Sequence, residues 1–542
     1  MPFLPASLRV RRLQTAVLAL AVALPLAMTA PSAGHADVSL AFRQAVAETA
    51  SRDREMAAFY RENGFAPIWT GTDAAAQARR QALVQAISGA SDHGLPVGDY
   101  DLDGLLDKAR AVRSERDLGL VEVGFSKLFL RYARDVQTGM VTPSKIDPLI
   151  VREIPHRDHA ELLAGVAGND PSAFMRSLPP RTHEYLRLMR AKLDMEKSVA
   201  AGGWGPVVPV GKLEPGAQGR NVVLLRNRLI AMGYMERSLS DRYDSTMTDA
   251  IRAFQADHGL AEDGVAGPGT LGEINVSMAD RLRSIMVAME RERWMNKERG
   301  DRHVLVNLTD FHAKIIDHGI TTFETRSVIG KNIPDRRTPE FSDEMEYLVI
   351  NPTWNVPRSI AVKEYLPMFK KNPNAASHLN LINARGQVVN RAAVNFSALN
   401  ARNFPFDIKQ PPSSRNALGL VKFMFPNKYN IYLHDTPSKS LFDREVRDFS
   451  HGCIRLQQPF DFAYALLALQ EDDPEAFFQS RLRTGRETRV TLETPVPVHL
   501  IYRTAVTEAT GKVTYRRDIY GRDARIWEAM QAAGVALRGV QG

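Results

Sequence analysis

The run Ser450-His451-Gly452-Cys453-Ile454-Arg455-Leu456 sets the only cysteine of the chain beside a histidine, a glycine and an arginine. A thiol attacks a carbonyl as its thiolate, so it needs a base or a cationic partner within reach. Two histidines qualify by position. His451 lies two residues before the sulfur, and His434 lies nineteen residues upstream, just after Tyr429-Asn-Ile-Tyr432-Leu433. Either imidazole could stand next to the sulfur. Gly452 lets a substrate approach the backbone closely, and the N–H groups of Gly452 and Cys453 could face a developing oxyanion. Arg455 offers five donors and a permanent charge to a carboxylate. Tyr432 is two residues before His434, so on a strand the two share a face, whereas Asp435 points the other way. A backbone carbonyl is then left to orient the His434 ring.

Strands must present these residues. From His303 the apolar period becomes two and β-branched residues dominate. Segments 304–308, 314–316, 325–329, 347–350, 420–425 and 430–433 read as strands, with a turn at Asp317-His318-Gly319. The mostly-β region is assigned to 301–525. It includes a helix led by Pro459 and a last hairpin, 498–506 with 512–520, expected to return to the same domain. Residues 358–415, rich in Pro, Asn and Lys, interrupt the strands and read as an inserted lid. Its ends lie beside strands leading to Cys453, and long connections inside compact domains are usually functional or disordered. Trp354 ends the strand before the insertion and suits a groove wall or the core. Residues 526–542 are assigned to a C-terminal tail.

Upstream, residues 1–36 hold Arg9, Arg11 and Arg12, an apolar run over 16–28, and Gly34 and Ala36 before Asp37. That pattern is a secretory signal peptide, and an uncleaved one would tether the chain to a membrane. Residues 37–205 read as a helical scaffold domain. In 212–277, Val222, Leu225 and Leu229, then Met247, Ile251 and Phe254, mark two helices. The turn at Asp263-Gly264 leads to a third helix near Thr270. Gly267-Pro-Gly269-Thr-Leu-Gly272 satisfies GxGxxG but lacks the preceding strand that a dinucleotide site requires. Residues 278–300 form a connector helix with a stripe of Met278, Leu282, Ile285, Met286 and Met289.

The heptad with its upstream His434 strongly resembles the active-site signature of L,D-transpeptidases. So do Val328-Ile-Gly330, Arg337-Thr338-Pro339, Ile350-Asn-Pro-Thr-Trp354, Asn416-Ala-Leu-Gly419, Phe425-Pro-Asn427 and Tyr432-Leu-His434-Asp-Thr-Pro437. Phe254-Gln255, Gly259-Leu260, Asp263-Gly264, Gly267-Pro268 and Thr270-Leu271 resemble a three-helix peptidoglycan-binding module. The order of parts is similar to the large periplasmic members of Gram-negative bacteria. The resemblance implies a multidomain α+β chain with Cys453 as nucleophile and His434 as its general base. It places His451 and Gly452 at the oxyanion region, Arg455 at a stem-peptide carboxylate, and Trp354 and Tyr432 along the substrate groove. The implied reaction is 3→3 cross-linking of peptidoglycan, with stem peptides and glycan strands as partners. Other wall-synthesis enzymes or a lipoprotein acceptor are further candidate partners.

Composition narrows the alternatives. The chain has 542 residues, 44% hydrophobic and 24% charged, enough for several cores and for three or four domains. One cysteine excludes a disulfide framework and Cys-rich metal sites, so neither metal nor cofactor is expected. In an exported chain a lone thiol is either buried and inert or kept for its chemistry. The net charge of +8 is spread out with no dense Lys/Arg run, which argues against nucleic acid. His183-Glu-Tyr-Leu-Arg187 lacks the second histidine of a zinc peptidase. Two other readings stand: a carboxypeptidase or endopeptidase resolving the thioester with water, and a wall-binding scaffold without catalysis.

Overall fold

The computed structural model describes residues 38–295 and 298–538, so the signal assigned to 1–36 lies outside the described residues. Among those described, no helix is long and apolar enough to cross a membrane. The N-terminal region is helical from Leu40–Ala50 to His183–Ala200. Its longest helix, Glu115–Thr138, starts at the Ser114 cap and buries Val121, Phe125, Leu128 and Phe129 against Trp69 and Phe42. Glu122 on that helix is buried because its carboxylate accepts the Ile68 and Thr70 N–H groups at 2.8 Å each.

Helices Arg220–Ala231, Ser245–Asp257 and Pro268–Ile274 pack around Leu225, Ile251, Phe254 and Leu271. The Gln255 amide closes the Asp-Gly turn, accepting the Gly264 N–H at 2.9 Å and donating to the Val265 carbonyl at 3.0 Å. Gly264 needs its φ of +72° there. Only an isolated bridge, Leu213 with Ala266, precedes Gly267, which caps the third helix. No βαβ unit surrounds the glycines.

The helix Met278–Trp294 carries more than the expected apolar stripe. Glu290, Arg291, Glu292 and Arg293 in its last turns are also buried. Each has an opposite charge within reach, including Arg293 with Glu290 at 2.7 Å and Arg291 with Glu340 at 2.7 Å. Pairing is what lets such charges sit in a core. The segment past 525 is not a loose tail. Helix Arg522–Ala532 buries Ile526, Trp527 and Met530 against Leu282, Met286 and Trp294.

Fourteen strands follow: β1 Arg302–Asn307, β2 His312–Asp317, β3 Ile320–Gly330, β4 Ser342–Ile350, β5 Trp354–Asn355, β6 Asn380–Ile382, β7 Asp407–Gln410, β8 Val421–Met424, β9 Leu433–His434, β10 Asp448–Ser450, β11 Ile454–Leu456, β12 Thr488–Ile501, β13 Ala505–Thr507 and β14 Val513–Tyr515. The main sheet runs β10-β3-β11-β9-β8-β4-β12-β1-β2. β3 is long enough to pair with β2 through its first half and with β11 and β10 through its second, so it joins the two ends and curls the sheet. Val304, Val306, Leu348, Phe423, Leu433 and Leu456 fill the interior, covered by Phe462 and Leu466 of helix Pro459–Leu467.

Two expectations about this region change. The last hairpin is shorter than expected, β13 with β14, and joins a cluster of Tyr185, Leu188, Ile285 and Met289 instead of the main sheet. Residues 498–501 belong to β12, which β1 and β4 hold in the sheet centre. Trp354 is not at the end of a main-sheet strand. β5 pairs with β7 and β7 with β6 in a separate three-stranded sheet, and Trp354 packs edge-on to Tyr365 at 6.3 Å. The insertion is thus a small subdomain with its own core of Leu366, Phe369, Leu381, Phe396 and Ile408.

Candidate active site

Three neighbouring strands build the site. β9 lies between β8 and β11, with Lys422 and Arg455 the register partners of His434 on either side. Ile454 donates to the Tyr432 carbonyl at 3.1 Å, which sets Cys453 beside Tyr432. With a side-chain period of two, Lys422, His434, Tyr432, Cys453 and Arg455 share one face of the sheet.

His434 is buried, and its Nδ1 donates to the Asp435 carbonyl at 2.5 Å. That bond fixes the tautomer and leaves the Nε2 lone pair for a proton. The Asp435 carboxylate points away, accepting from Lys439 at 2.6 Å and from the Leu420 N–H at 2.9 Å. Burial, followed by the charges of Arg455 and Lys422, pushes the His434 imidazole down to about 3. Burial pushes the half-buried Cys453 thiol up to about 11, although the Tyr432 N–H and hydroxyl and the Arg455 and Lys422 charges favour the thiolate. The thiol donates to the Asn430 carbonyl at 3.5 Å and makes no hydrogen bond to His434. Asn430 has φ +55°, and the Asn427 side chain pins the turn around it, donating to the Ile431 carbonyl at 2.8 Å.

The loop before the sulfur is held rigidly. Ser450 Oγ donates to the Cys453 carbonyl at 2.5 Å and accepts the Gly452 N–H at 3.0 Å. Thr338 Oγ1 donates to the Gly452 carbonyl at 2.7 Å while accepting the Gly330 N–H at 2.9 Å. The Gly452 N–H is therefore occupied, and the expected pair of oxyanion donors reduces to Cys453 N–H, which has no partner among the described residues. Gly452 remains necessary for its φ of +118° and because a Cβ would meet Ile431 at 3.1 Å.

His451 turns from the sulfur to the insertion. Its Nε2 lies 2.7 Å from Glu364 Oε1, which also accepts from Arg336 at 2.6 Å. A second pair, Lys363 with Asp335 at 2.7 Å, ties the same turn down. Arg455 and Lys422 make no hydrogen bond or ion pair among the described residues, and burial lowers the basicity of both. Trp354 stands in the insertion core and does not join the Cys453 face.

Sequence reasoning missed Lys422 and Glu364. Lys422 carries a signal, since Val421-Lys422-Phe423 alternation puts a charge on the face opposite two core residues. Glu364 carries none, because its partners lie 28 and 87 residues away.

Residues 301–498 match the L,D-transpeptidase catalytic domain family, 218–274 a peptidoglycan-binding domain family and 54–191 a scaffold domain family. A Haemophilus influenzae protein named "Putative L,D-transpeptidase" is 31% identical over 229 residues, covering 41% of this chain. The match spans 45% of the length of that protein. Crystal structures of L,D-transpeptidases from Xylanimonas cellulosilytica and Stackebrandtia nassauensis are 14% and 13% identical. Each covers 55% of this chain, with 98% and 97% of their own chains matched and TM-scores of 0.17 and 0.21. At such scores neither adds to the assignment. The sheet that carries Cys453 and His434 lies within the stretch that matches the L,D-transpeptidase catalytic domain, in a chain that also matches the family described as "Putative peptidoglycan binding domain".

Proposed function

We propose that the chain is a peptidoglycan L,D-transpeptidase forming 3→3 cross-links outside the cytoplasm, in the periplasm. The observation that carries this reading is the only cysteine and His434 on one face of adjacent strands inside the matched domain. A rotation of the thiol off the Asn430 carbonyl would direct it to the His434 Nε2, and such catalytic bonds often tighten only with substrate bound.

Cys453 Sγ attacks the carbonyl of residue three in a tetrapeptide stem as its proton passes to His434 Nε2. The oxyanion is held by the Cys453 N–H and the Tyr432 hydroxyl. His434 returns the proton to the leaving amine, D-alanine departs, and a thioester remains. An amine of a second stem then attacks the thioester, gives its proton to His434, and releases the thiolate, which is reprotonated. The insertion serves as a lid that keeps water from the thioester. His451 works through Glu364 on that lid, and the domain at 218–274 holds the enzyme on glycan strands.

Incubation with purified disaccharide-tetrapeptide should give a dimer lighter than two monomers by one D-alanine, and an acyl adduct on Cys453 by intact mass. Cys453→Ala should give neither, and Cys453→Ser almost none, because a hydroxyl starts from a far higher pKa. Equal dimer from Cys453→Ala would overturn the assignment. Tripeptide in place of dimer would favour the hydrolase.

A further inference from the structure

Across β11, β9 and β8 the face of the sheet reads Cys453 and Arg455, then His434, then Lys422. Arg455 and Lys422 are thus two strands apart, about 10 Å between backbones, with the base between them. Neither makes an ion pair with a carboxylate among the described residues. Glu487 acts on Lys422 only through space and accepts the Thr353 N–H, while Asp435 is held by Lys439. Lys422 also lies over the Tyr432 ring at 6.0 Å, which keeps its ammonium on the face of the thiol. A half-buried cation with no directly paired carboxylate is costly to maintain, and a ligand carboxylate would offset that cost.

We propose that Lys422 is a specificity-determining residue that binds the free terminal carboxylate of the donor peptide, a reading that rests on the transpeptidase assignment above. The order of groups along the substrate matches the order of strands. The attacked carbonyl belongs over Cys453 at the head of β11, and the leaving nitrogen must meet His434 on β9. The terminal carboxylate, one Cα beyond that nitrogen, then falls over β8 and Lys422. Arg455 remains for an anionic group on the acyl half. Lys422 thereby selects donors that end one residue past the scissile bond. A stem longer by one residue moves its carboxylate about 3.8 Å further on and leaves both it and Lys422 unpaired.

The experiment compares acylation of Cys453 by a tetrapeptide donor, its C-terminal amide and the pentapeptide, read as release of D-alanine, D-alaninamide and the C-terminal dipeptide, at matched acceptor. A charge-assisted bond of this kind is worth about 10- to 100-fold, so wild type should prefer the acid over the amide by at least about 10-fold in kcat/KM. Lys422→Met should lose about that factor in the acid-to-amide ratio of kcat/KM, a ratio in which any effect of the charge on the thiol and imidazole common to both donors cancels. Lys422→Arg should restore the preference. Lys422→Gln serves if the methionine variant does not fold, as judged by its thermal melt. A wild-type acid-to-amide ratio near one, or a ratio unchanged in Lys422→Met, overturns this inference while leaving the transpeptidase reading in place. Failure of wild type to acylate Cys453 with any of the donors overturns both.

Discussion

Cys453 and His434 are both neutral at pH 7, because burial acts on each in the direction that removes its charge. The pair therefore does not rest as a thiolate–imidazolium ion pair, and deprotonation belongs to the attack itself. His434 becomes a competent base as pH rises through its folded value of about 3, and the thiol ionises on its own only near 11. The acylation rate of Cys453 should then be level from about pH 5 to 9. Stopped-flow or quenched mass measurements across that range would check it. A limb near pH 6.5, the ordinary histidine value, would show that the imidazole is less shielded than its surroundings imply. Thr338 acts on the same loop from behind. It is fully buried, and it aims the Gly452 carbonyl so that the next N–H, that of Cys453, stays free.

The insertion is attached by exposed or half-exposed pairs, Glu364 with Arg336 and His451, and Lys363 with Asp335. Each such pair is worth about 0–1 kcal/mol, so for the lid proposed above they would be weak enough to break on each turnover and strong enough to bias closure. Glu364 sits on the π-helical turn Ala361–Tyr365, which widens the helix where it meets the loop of Cys453. Glu364→Ala should raise the ratio of hydrolysed to cross-linked product by about 3- to 5-fold through this lost bias, with the insertion core still folded. Product chromatography against wild type is the check, and an unchanged ratio would make the insertion a fixed wall. Its independent core, around Phe369 and Phe396, would let the proposed lid move as one piece.

The catalytic sheet is braced on both sides by other parts of the chain. Glu340 pairs in parallel with Ile150 of the scaffold and receives Arg291 at 2.7 Å and Arg522 at 3.1 Å. It lies two residues from Thr338, so the brace reaches the loop of Cys453. Removing one partner of such a buried network typically costs about 3–5 kcal/mol. Three histidines, His258, His434 and His499, are buried and His93 is half-buried, and burial lowers them, His93 and His499 to about 4 and His258 and His434 to about 3. The unfolded chain takes up these protons near pH 6.5 and the folded chain does not. Stability from these four is complete above pH 6.5 and is lost as pH falls toward 4 and 3. Asp523 and Asp135, both raised chiefly by burial, act in the opposite sense. Tm should fall progressively from pH 6.5 to 4. His258→Phe, which keeps the stack on Phe254 at 3.8 Å, should flatten part of that slope. An unaltered slope would assign the loss to carboxylates instead.

What was legible from sequence lay within short windows. The heptad at Cys453, His434 two residues after Tyr432, the alternation of 304–308 and the Asp-Gly turn of the wall-binding domain each encode local geometry, through side-chain period and turn chemistry. The contact of the Asp435 carbonyl with the His434 ring follows from the same period. Tertiary structure alone decided which distant residues meet. Strand register set Lys422 and Arg455 beside His434, a pairing across neighbouring strands that no single window contains. The Ser450 hydroxyl, by taking the Gly452 N–H, left one oxyanion donor where backbone pattern alone suggested two. Packing also moved Trp354 into the insertion and made a core helix of residues read as a tail, because burial depends on the surfaces that other domains present.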